Sequence, residues 1–324
     1  MNGPTNGPAG GPANGPAGGP MSGRTVAVLG ATGCVGRQVC ATVARAGGEV
    51  LAVARHPAAH IGRYGFAALD VAATPAPVLA ELLEGVDAVV NATGGWAREE
   101  ADMAYAHVRL VERLVQALRL LPRPPRLVHL GTIHEYGPIA EGVLIHEGIE
   151  PRPATPYART KQAGSQVVLD AADLDAIVLR AVNVCGPYTT EASFLGMVTG
   201  KLRALLPGEP LQLTIAPARR DYLDVRDLAD AVVRAIGSAE RGRAVNIGRG
   251  VAVELRELVR LLVAAAGFPP EVLQEQHDRV ESKGGDWTRA DITLAGRLLG
   301  WRPVVGLDES LRDMWTSFDT QEHR

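Results

Sequence analysis

Residues 25–36 read Thr25-Val26-Ala27-Val28-Leu29-Gly30-Ala31-Thr32-Gly33-Cys34-Val35-Gly36. Thr25–Leu29 is a short apolar run of the kind buried in a parallel sheet. Three evenly spaced glycines follow, and helical periodicity begins at Val35 and runs to Ala46. Glycine permits the tight turn and lets backbone N–H groups at the helix start approach a pyrophosphate. The spacing is G-x-x-G-x-x-G, not the G-x-G-x-x-G of most dehydrogenases. In a chain with 37 glycines, such a trio says little alone. After the first strand of an alternating chain it points to a dinucleotide site at Gly30, Thr32, Gly33, Cys34, Val35 and Gly36, rather than a plain strand-to-helix turn.

The alternation continues outward. Strands are predicted at 49–54, 87–91, 126–130 and 176–180. Helices are predicted at 79–83, 99–121 and 154–172, the second ended by Pro122 to Pro125. Strands alternating with helices predict an α/β fold, a Rossmann-type doubly wound parallel sheet covered on both faces. After Arg180 the pieces shorten between Pro187, Pro207, Pro210 and Pro217. Helices are predicted at 227–236 and 255–266 with a strand at 244–247. The expected organisation is a Gly/Pro/Asn-rich tail over 1–23 and a dinucleotide-binding domain over 24–182. Later sheet elements from about 221–250 join that domain. A smaller C-terminal substrate-binding lobe takes 183–220 and 251–324. The first 20 residues have no apolar surface to bury and are expected to be disordered; Met21 is a possible alternative start.

The 324 residues are 46% hydrophobic and 21% charged, with a net charge of −3. That balance gives no general attraction to nucleic acid or to an anionic membrane. There is no apolar run of transmembrane length and no signal-peptide pattern. The three cysteines, Cys34, Cys40 and Cys185, have neither an even count nor a clustered spacing, so no disulfide framework or metal site is expected. A reduced, cytoplasmic protein is the reading that follows.

The second strand ends Ala54-Arg55-His56, without the acid that would bind a ribose 2′-hydroxyl. Arg55 can accommodate a 2′-phosphate and favours NADP(H), with NAD(H) still possible; otherwise it is a surface arginine. Asp70 is either an adenine contact or a turn residue.

Tyr157 and Lys161 are one helical turn apart and share a face. The chain has only three lysines, Lys161, Lys201 and Lys283. Free tyrosine titrates near pH ~10, and an adjacent ammonium favours phenolate. The spacing therefore predicts a proton donor with a lowered pKa, suited to general acid–base work.

Taken together, several motifs resemble the extended short-chain dehydrogenase/reductases, the nucleotide-sugar epimerases, dehydratases and reductases. They are Gly30-Ala-Thr-Gly-x-x-Gly36, Thr132 at a strand end, Tyr157-x-x-x-Lys161 and Leu179-Arg180. Asn183-x-x-Gly186-Pro187, Arg220-Asp221-Tyr-x-Asp224-Val225-x-Asp227 and Leu299-Gly-Trp-x-Pro303 complete the set. The resemblance implies that Tyr157 is the general acid or base. Lys161 would hold the nicotinamide ribose and lower the tyrosine pKa, and Thr132 would hydrogen-bond the reacting oxygen. Val71, Ala92 and Tyr157 itself would join Asp70 and the glycine turn at the cofactor. Asn183 and Arg220 match positions that hold a substrate diphosphate, and arginine's fork suits phosphate; Asn183 could equally order its loop. His134 is either a substrate contact or a loop histidine. The family also implies a homodimer through the 99–121 helix and the Tyr157 helix.

Departures from the family narrow the chemistry. Sugar 4,6-dehydratases follow the strand threonine with an Asp-Glu pair; here stand Ile133 and His134, which argues against dehydration. Glu135, one place later, falls on the other face of an extended segment. His107 replaces the family's usual Asn and reads as a packing or solvated residue, and His129 as a structural one. The Glu209-Pro-Leu segment, Arg219-Arg220-Asp221 and the Gly300-Trp-Arg-Pro303 ending are similar to dTDP-4-keto-6-deoxyhexose 4-ketoreductases of antibiotic deoxysugar pathways. The implied activity is NADPH-dependent reduction of a C4 ketone on a dTDP-hexose. The alternatives are an NAD-dependent 4-epimerase and, from another class, a non-catalytic NADP(H)-sensing regulator, which would not need Thr132, Tyr157 and Lys161 together.

Overall fold

The computed structural model describes residues 19–276 and 285–318. Residues 1–18 of the tail expected over 1–23, and the parts of the lobe at 277–284 and 319–324, lie outside the described residues; residues 19–23 form a turn against the fold, so the tail ends earlier than expected. Met21 is 2% exposed and packs into the core, and its N–H donates to the Ala46 carbonyl.

Strand β1 (Thr25–Leu29) leads through the glycine turn into helix α1 (Cys34–Arg45), and β2 (Glu49–Ala54) follows. Next come β3 (Gly65–Ala68), α2 (Ala76–Leu83) and β4 (Ala88–Asn91). The predicted helix over 99–121 is three consecutive segments. They are α3 (Glu100–Ala104), a π-helical turn (Tyr105–Arg109) and α4 (Leu110–Leu120). Single π turns inside helices often mark functional positions, and this one carries His107. Then follow β5 (Arg126–Thr132), α5 (Pro156–Leu169) and β6 (Ala176–Ala181). Thr155 caps α5 by accepting from the Ala158 N–H at 3.2 Å, with Pro156 next to it, the local reason the Tyr157 helix starts where it does.

The remaining elements are β7 (Asn183–Cys185), α6 (Phe194–Arg203), β8 (Leu211–Leu213), β9 (Arg219–Asp224) and α7 (Val225–Gly237). They continue with β10 (Arg243–Ile247), β11 (Ala252–Glu254), α8 (Leu255–Ala265), β12 (Leu273–Glu275), α9 (Thr293–Leu299) and α10 (Leu307–Phe318). Seven strands form one sheet in the order β10-β6-β5-β4-β1-β2-β3, with every pairing parallel. The strand β3 was not foreseen. Its four residues are mostly exposed at the sheet edge, so the apolar signal there is thin.

One sheet face packs under α1 and α7, with Val39, Val43, Leu228 and Val232 buried. The other packs under α2, α4 and α5, with Leu79, Leu114, Leu118 and Val168 buried. A separate apolar cluster joins α6, α8 and α10. Of the segment 221–250, β10 completes the large sheet, whereas β9 pairs with β7 and β11 in a three-stranded sheet. A tight turn at Ala216–Ala218, around Pro217, leads into β9. Among the described residues, no helix is long and apolar enough to cross a membrane, and no cluster of His, Cys, Asp or Glu could hold a metal ion.

Candidate active site

The turn after β1 has the shape its glycines imply. Gly30 has φ +78°, and a Cβ there would lie 2.9 Å from the Ala92 carbonyl oxygen. A Cβ on Gly36 would lie 2.1 Å from the Gly30 carbonyl oxygen, so no side chain fits where α1 meets the turn. Gly33 is the N-cap of α1 and contributes no side-chain cap. First-turn N–H groups presented without a side-chain cap suit a phosphate at a helix N-terminus. Thr32 is exposed and Val35 half-buried at the same turn, and Ala92 lies against Gly30. The residues present therefore fit a dinucleotide. The Cys34 thiol faces the Pro187 carbonyl at 3.6 Å. Burial pushes its pKa up to about 12, so it stays a thiol.

Asp70 is a turn residue: its Oδ1 accepts from the Ala72 N–H at 3.0 Å and its Oδ2 from the Tyr105 hydroxyl at 3.2 Å. Arg55 is exposed, and its charge reaches Tyr105. Arg55, Asp70 and Tyr105 thus gather beyond the ends of β2 and β3, with Val71 buried beneath them. Tyr105 was not foreseen; its hydroxyl on the π turn is the unread signal.

Thr132, Tyr157 and Lys161 come together across the ends of β5 and α5. After Thr132 the chain turns in a short 3-10 helix, Ile133–Tyr136. The Thr132 hydroxyl accepts from the His134 N–H at 3.4 Å, and Glu135 Oε1 accepts from the Thr132 N–H at 2.9 Å. The Thr132 hydroxyl also lies within hydrogen-bond reach of the Tyr157 hydroxyl. The Lys161 ammonium donates to the Leu130 carbonyl. Burial lowers its pKa to about 8, against the upward pull of Glu135.

The expected lowering of the Tyr157 pKa does not occur. Burial pushes it up to about 12, the Glu135 carboxylate adds to the rise, and only the Thr132 hydrogen bond opposes them. The physical reason is desolvation. Trp96 stacks on the Tyr157 ring with centroids 4.3 Å apart and planes 12° apart, and His107 meets the ring edge-on at 5.5 Å. Tyr157 is half-buried, and a phenolate between these rings loses part of its hydration. Lys161, hydrogen-bonded to the Leu130 carbonyl, does not offset that loss.

Glu135 does not fall on an outer face, because the segment is a 3-10 turn and not extended. Its carboxylate is fully buried, pairs with Arg180 at 2.7 Å and accepts from Ser165 Oγ at 2.8 Å. A Cβ on Gly131 would lie 2.5 Å from Glu135 Oε1, so Gly131 makes the room. Two signals were legible: an arginine inside an apolar strand, and the Thr-x-x-Glu spacing of a capping box.

His107 also does more than pack. Its Nε2 lies 3.2 Å from the Gly95 carbonyl and its Nδ1 2.8 Å from Thr160 Oγ1. A carbonyl only accepts, so the Nε2 that faces Gly95 carries a proton; the Thr160 hydroxyl beside Nδ1 also reaches the Pro156 and Tyr157 carbonyls of its own helix. Burial and the Lys161 charge lower the His107 pKa to about 4. The ring is neutral when folded and titrates at ~6.5 when unfolded. Its stabilising contribution is complete above pH 6.5 and is lost as pH falls through 4, about 3 kcal/mol in all. His107→Asn should flatten that part of the stability curve; denaturant unfolding between pH 7 and 4 measures it, and an unchanged slope would contradict the assignment. His129, also held neutral by burial, accepts from Asn91 Nδ2 at 3.0 Å. Its Nε2 has no hydrogen-bond partner, so it is only half satisfied.

The third group stands apart. Asn183 Nδ2 donates to the Asp221 carbonyl at 3.2 Å, and Arg220 Nη2 donates to the Gly285 carbonyl at 3.0 Å. Asn183 thus orders its strand in this structure. His134 is half-buried beside Thr132.

A nucleotide turn at the first βα junction and a Thr–Tyr–Lys set at the ends of β5 and α5 define a short-chain dehydrogenase/reductase site. The chain belongs to the NAD dependent epimerase/dehydratase family, whose model matches residues 26–248, and it is an NAD(P)-dependent oxidoreductase. It is 37% identical over 304 residues to dTDP-6-deoxy-L-talose 4-dehydrogenase (NAD(P)(+)) of Kitasatospora kifunensis, covering 91% of this chain and 96% of that one. It is 26% identical over 219 residues to the GDP-6-deoxy-D-mannose reductase of Pseudomonas aeruginosa, covering 64% and 70%. Its fold is that of the solved structure of RMD from Pseudomonas aeruginosa complexed with NADPH, with TM-score 0.76, 22% identity, and coverage of 92% and 99%.

Proposed function

We propose that this protein reduces the C4 ketone of a dTDP-4-keto-6-deoxyhexose with NADPH, in deoxysugar biosynthesis. The observation that carries the reading is the meeting of Thr132, Tyr157 and Lys161 at the ends of β5 and α5, with the Tyr157 and Thr132 hydroxyls within hydrogen-bond reach of each other and Lys161 held on the Leu130 carbonyl. Two adjacent hydroxyls can both donate to a carbonyl oxygen, and the phenol can protonate the alkoxide that forms. The similarity to a dTDP-6-deoxy-L-talose 4-dehydrogenase supports the substrate class, since oxidation of that alcohol at C4 is the same reaction reversed. Loss of water across C5–C6 has no base here, because Ile133 and His134 stand in place of the acid pair and Glu135 is committed to Arg180.

The glycine turn, Arg55 and Lys161 would hold the cofactor, which supplies the hydride when bound. Thr132 and Tyr157 donate to the carbonyl oxygen as negative charge develops on it. Tyr157 then transfers its proton to that oxygen. Arg220, with Asn183 near it, would meet the diphosphate. The protein would work in the cytoplasm as a homodimer, within antibiotic-type secondary metabolism.

The deciding experiment incubates the protein with NADPH and enzymatically made dTDP-4-keto-6-deoxyglucose, or its 5-epimer, and resolves the product. Stoichiometric oxidation of NADPH with a C4 alcohol as product is expected. Interconversion of 4-epimeric sugars without net cofactor oxidation would establish the epimerase reading in its place. Arg55→Ala should erase a preference for NADPH over NADH of at least about tenfold, equivalent to about 1.4 kcal/mol. An NADH preference in the unaltered protein would remove the role given to Arg55.

A further inference from the structure

The loop between β4 and α3 presents an aromatic side chain whose placement the reaction above does not explain. Trp96 is 49% exposed, yet its indole lies flat on the Tyr157 ring, 4.3 Å away and 12° from parallel. About half of the indole stays in water. The ring gains from an offset or stacked partner, and the partner here is the general acid. The loop is held to this task. Gly94 has φ +104°, and a Cβ there would lie 2.7 Å from His107 Cδ2. His107 donates to the Gly95 carbonyl, the residue before Trp96, and its other nitrogen is bound by Thr160 on the Tyr157 helix. One neutral histidine thus ties the Trp96 loop to the helix that carries Tyr157.

We propose that Trp96 is a positioning residue for the proton transfer. Its indole covers the Tyr157 ring, fixes the direction of the hydroxyl and keeps bulk water from it. The charged and titratable groups around Tyr157 are Glu135 on the 3-10 turn, His107 on the π turn and Lys161 one turn along α5. None of them lies on the Trp96 loop. Removing the indole therefore changes the solvation of the phenol without removing a charge. The raised pKa of Tyr157 accords with that enclosure.

Trp96→Ala should lower kcat at least tenfold with little change in KM or in NADPH affinity. It should also move the rise of the oxidative rate with pH downward by one unit or more, since a hydrated phenol ionises more readily. Trp96→Phe, which keeps a stacked ring, should restore both. The role in turnover rests on the reductase reading, so a substrate-free measurement accompanies it. The tyrosinate absorbance of each protein, minus that of its Tyr157→Phe counterpart, is followed by pH jump and isolates the Tyr157 titration. If the unaltered protein reduces no dTDP-4-ketohexose, the reductase reading has failed and this titration decides the inference by itself. An unchanged titration midpoint in Trp96→Ala overturns the inference. Impairment of Trp96→Phe equal to that of Trp96→Ala also overturns it, because the stack would then not be the cause.

Discussion

Tyr157→Phe is expected to lower turnover by at least about 10²-fold, the usual loss on deleting a general acid, with NADPH affinity unchanged. The substitution removes one oxygen and leaves the ring. The stack on Trp96, the edge contact with His107 and the packing of α5 should all persist. The residual rate would come from Thr132, whose hydroxyl still faces the reacting oxygen. Because the phenol is protonated well past neutrality, reduction should not be limited by its ionisation near pH 7, whereas the reverse oxidation should accelerate as pH rises. Steady-state rates in both directions, with NADPH binding measured by fluorescence, check this. Turnover in Tyr157→Phe within a few-fold of the unaltered protein would remove the tyrosine from the mechanism.

Glu135→Ala should be the most damaging single change to the fold near the site. Glu135 is fully buried and joins Arg180, itself 4% exposed, Ser165 and the Thr132 N–H. Truncating it leaves a guanidinium in an apolar strand without its counter-charge, a loss of about 3–5 kcal/mol. The melting temperature should fall by about 4–7 °C. Restoring neutrality is the informative control. Glu135→Leu combined with Arg180→Met removes both charges and should recover much of the stability, since a buried pair contributes little over apolar residues of similar size. Activity should nonetheless stay low in the double variant. The turn that aims Thr132 is pinned by the Glu135 carboxylate, and leucine cannot replace that acceptor. Recovery of stability together with activity would show that the pair does not position Thr132.

The stretch from Thr25 to Gly36 foretold the first strand, turn and helix because each depends on neighbours only a few positions away. The alternation of strand and helix and the Tyr157–Lys161 spacing are equally local, so they were legible in the sequence. The thin edge strand Gly65–Ala68 was not, because it gains stability from pairing with β2 rather than from its own pattern.

The chemistry at Tyr157 is another matter. A lysine one turn away predicts a lowered pKa, and the sequence read alone gives that answer. Only the tertiary structure brings Trp96, His107 and Glu135 around the phenol from three separate segments. It also turns the Lys161 ammonium onto the Leu130 carbonyl. Ionisation depends on solvation and on every charge within several ångströms, and these are properties of the folded neighbourhood. The sequence by itself determined the residues of the candidate site and the fold that carries them. The packing decided that Tyr157 is held with its proton on.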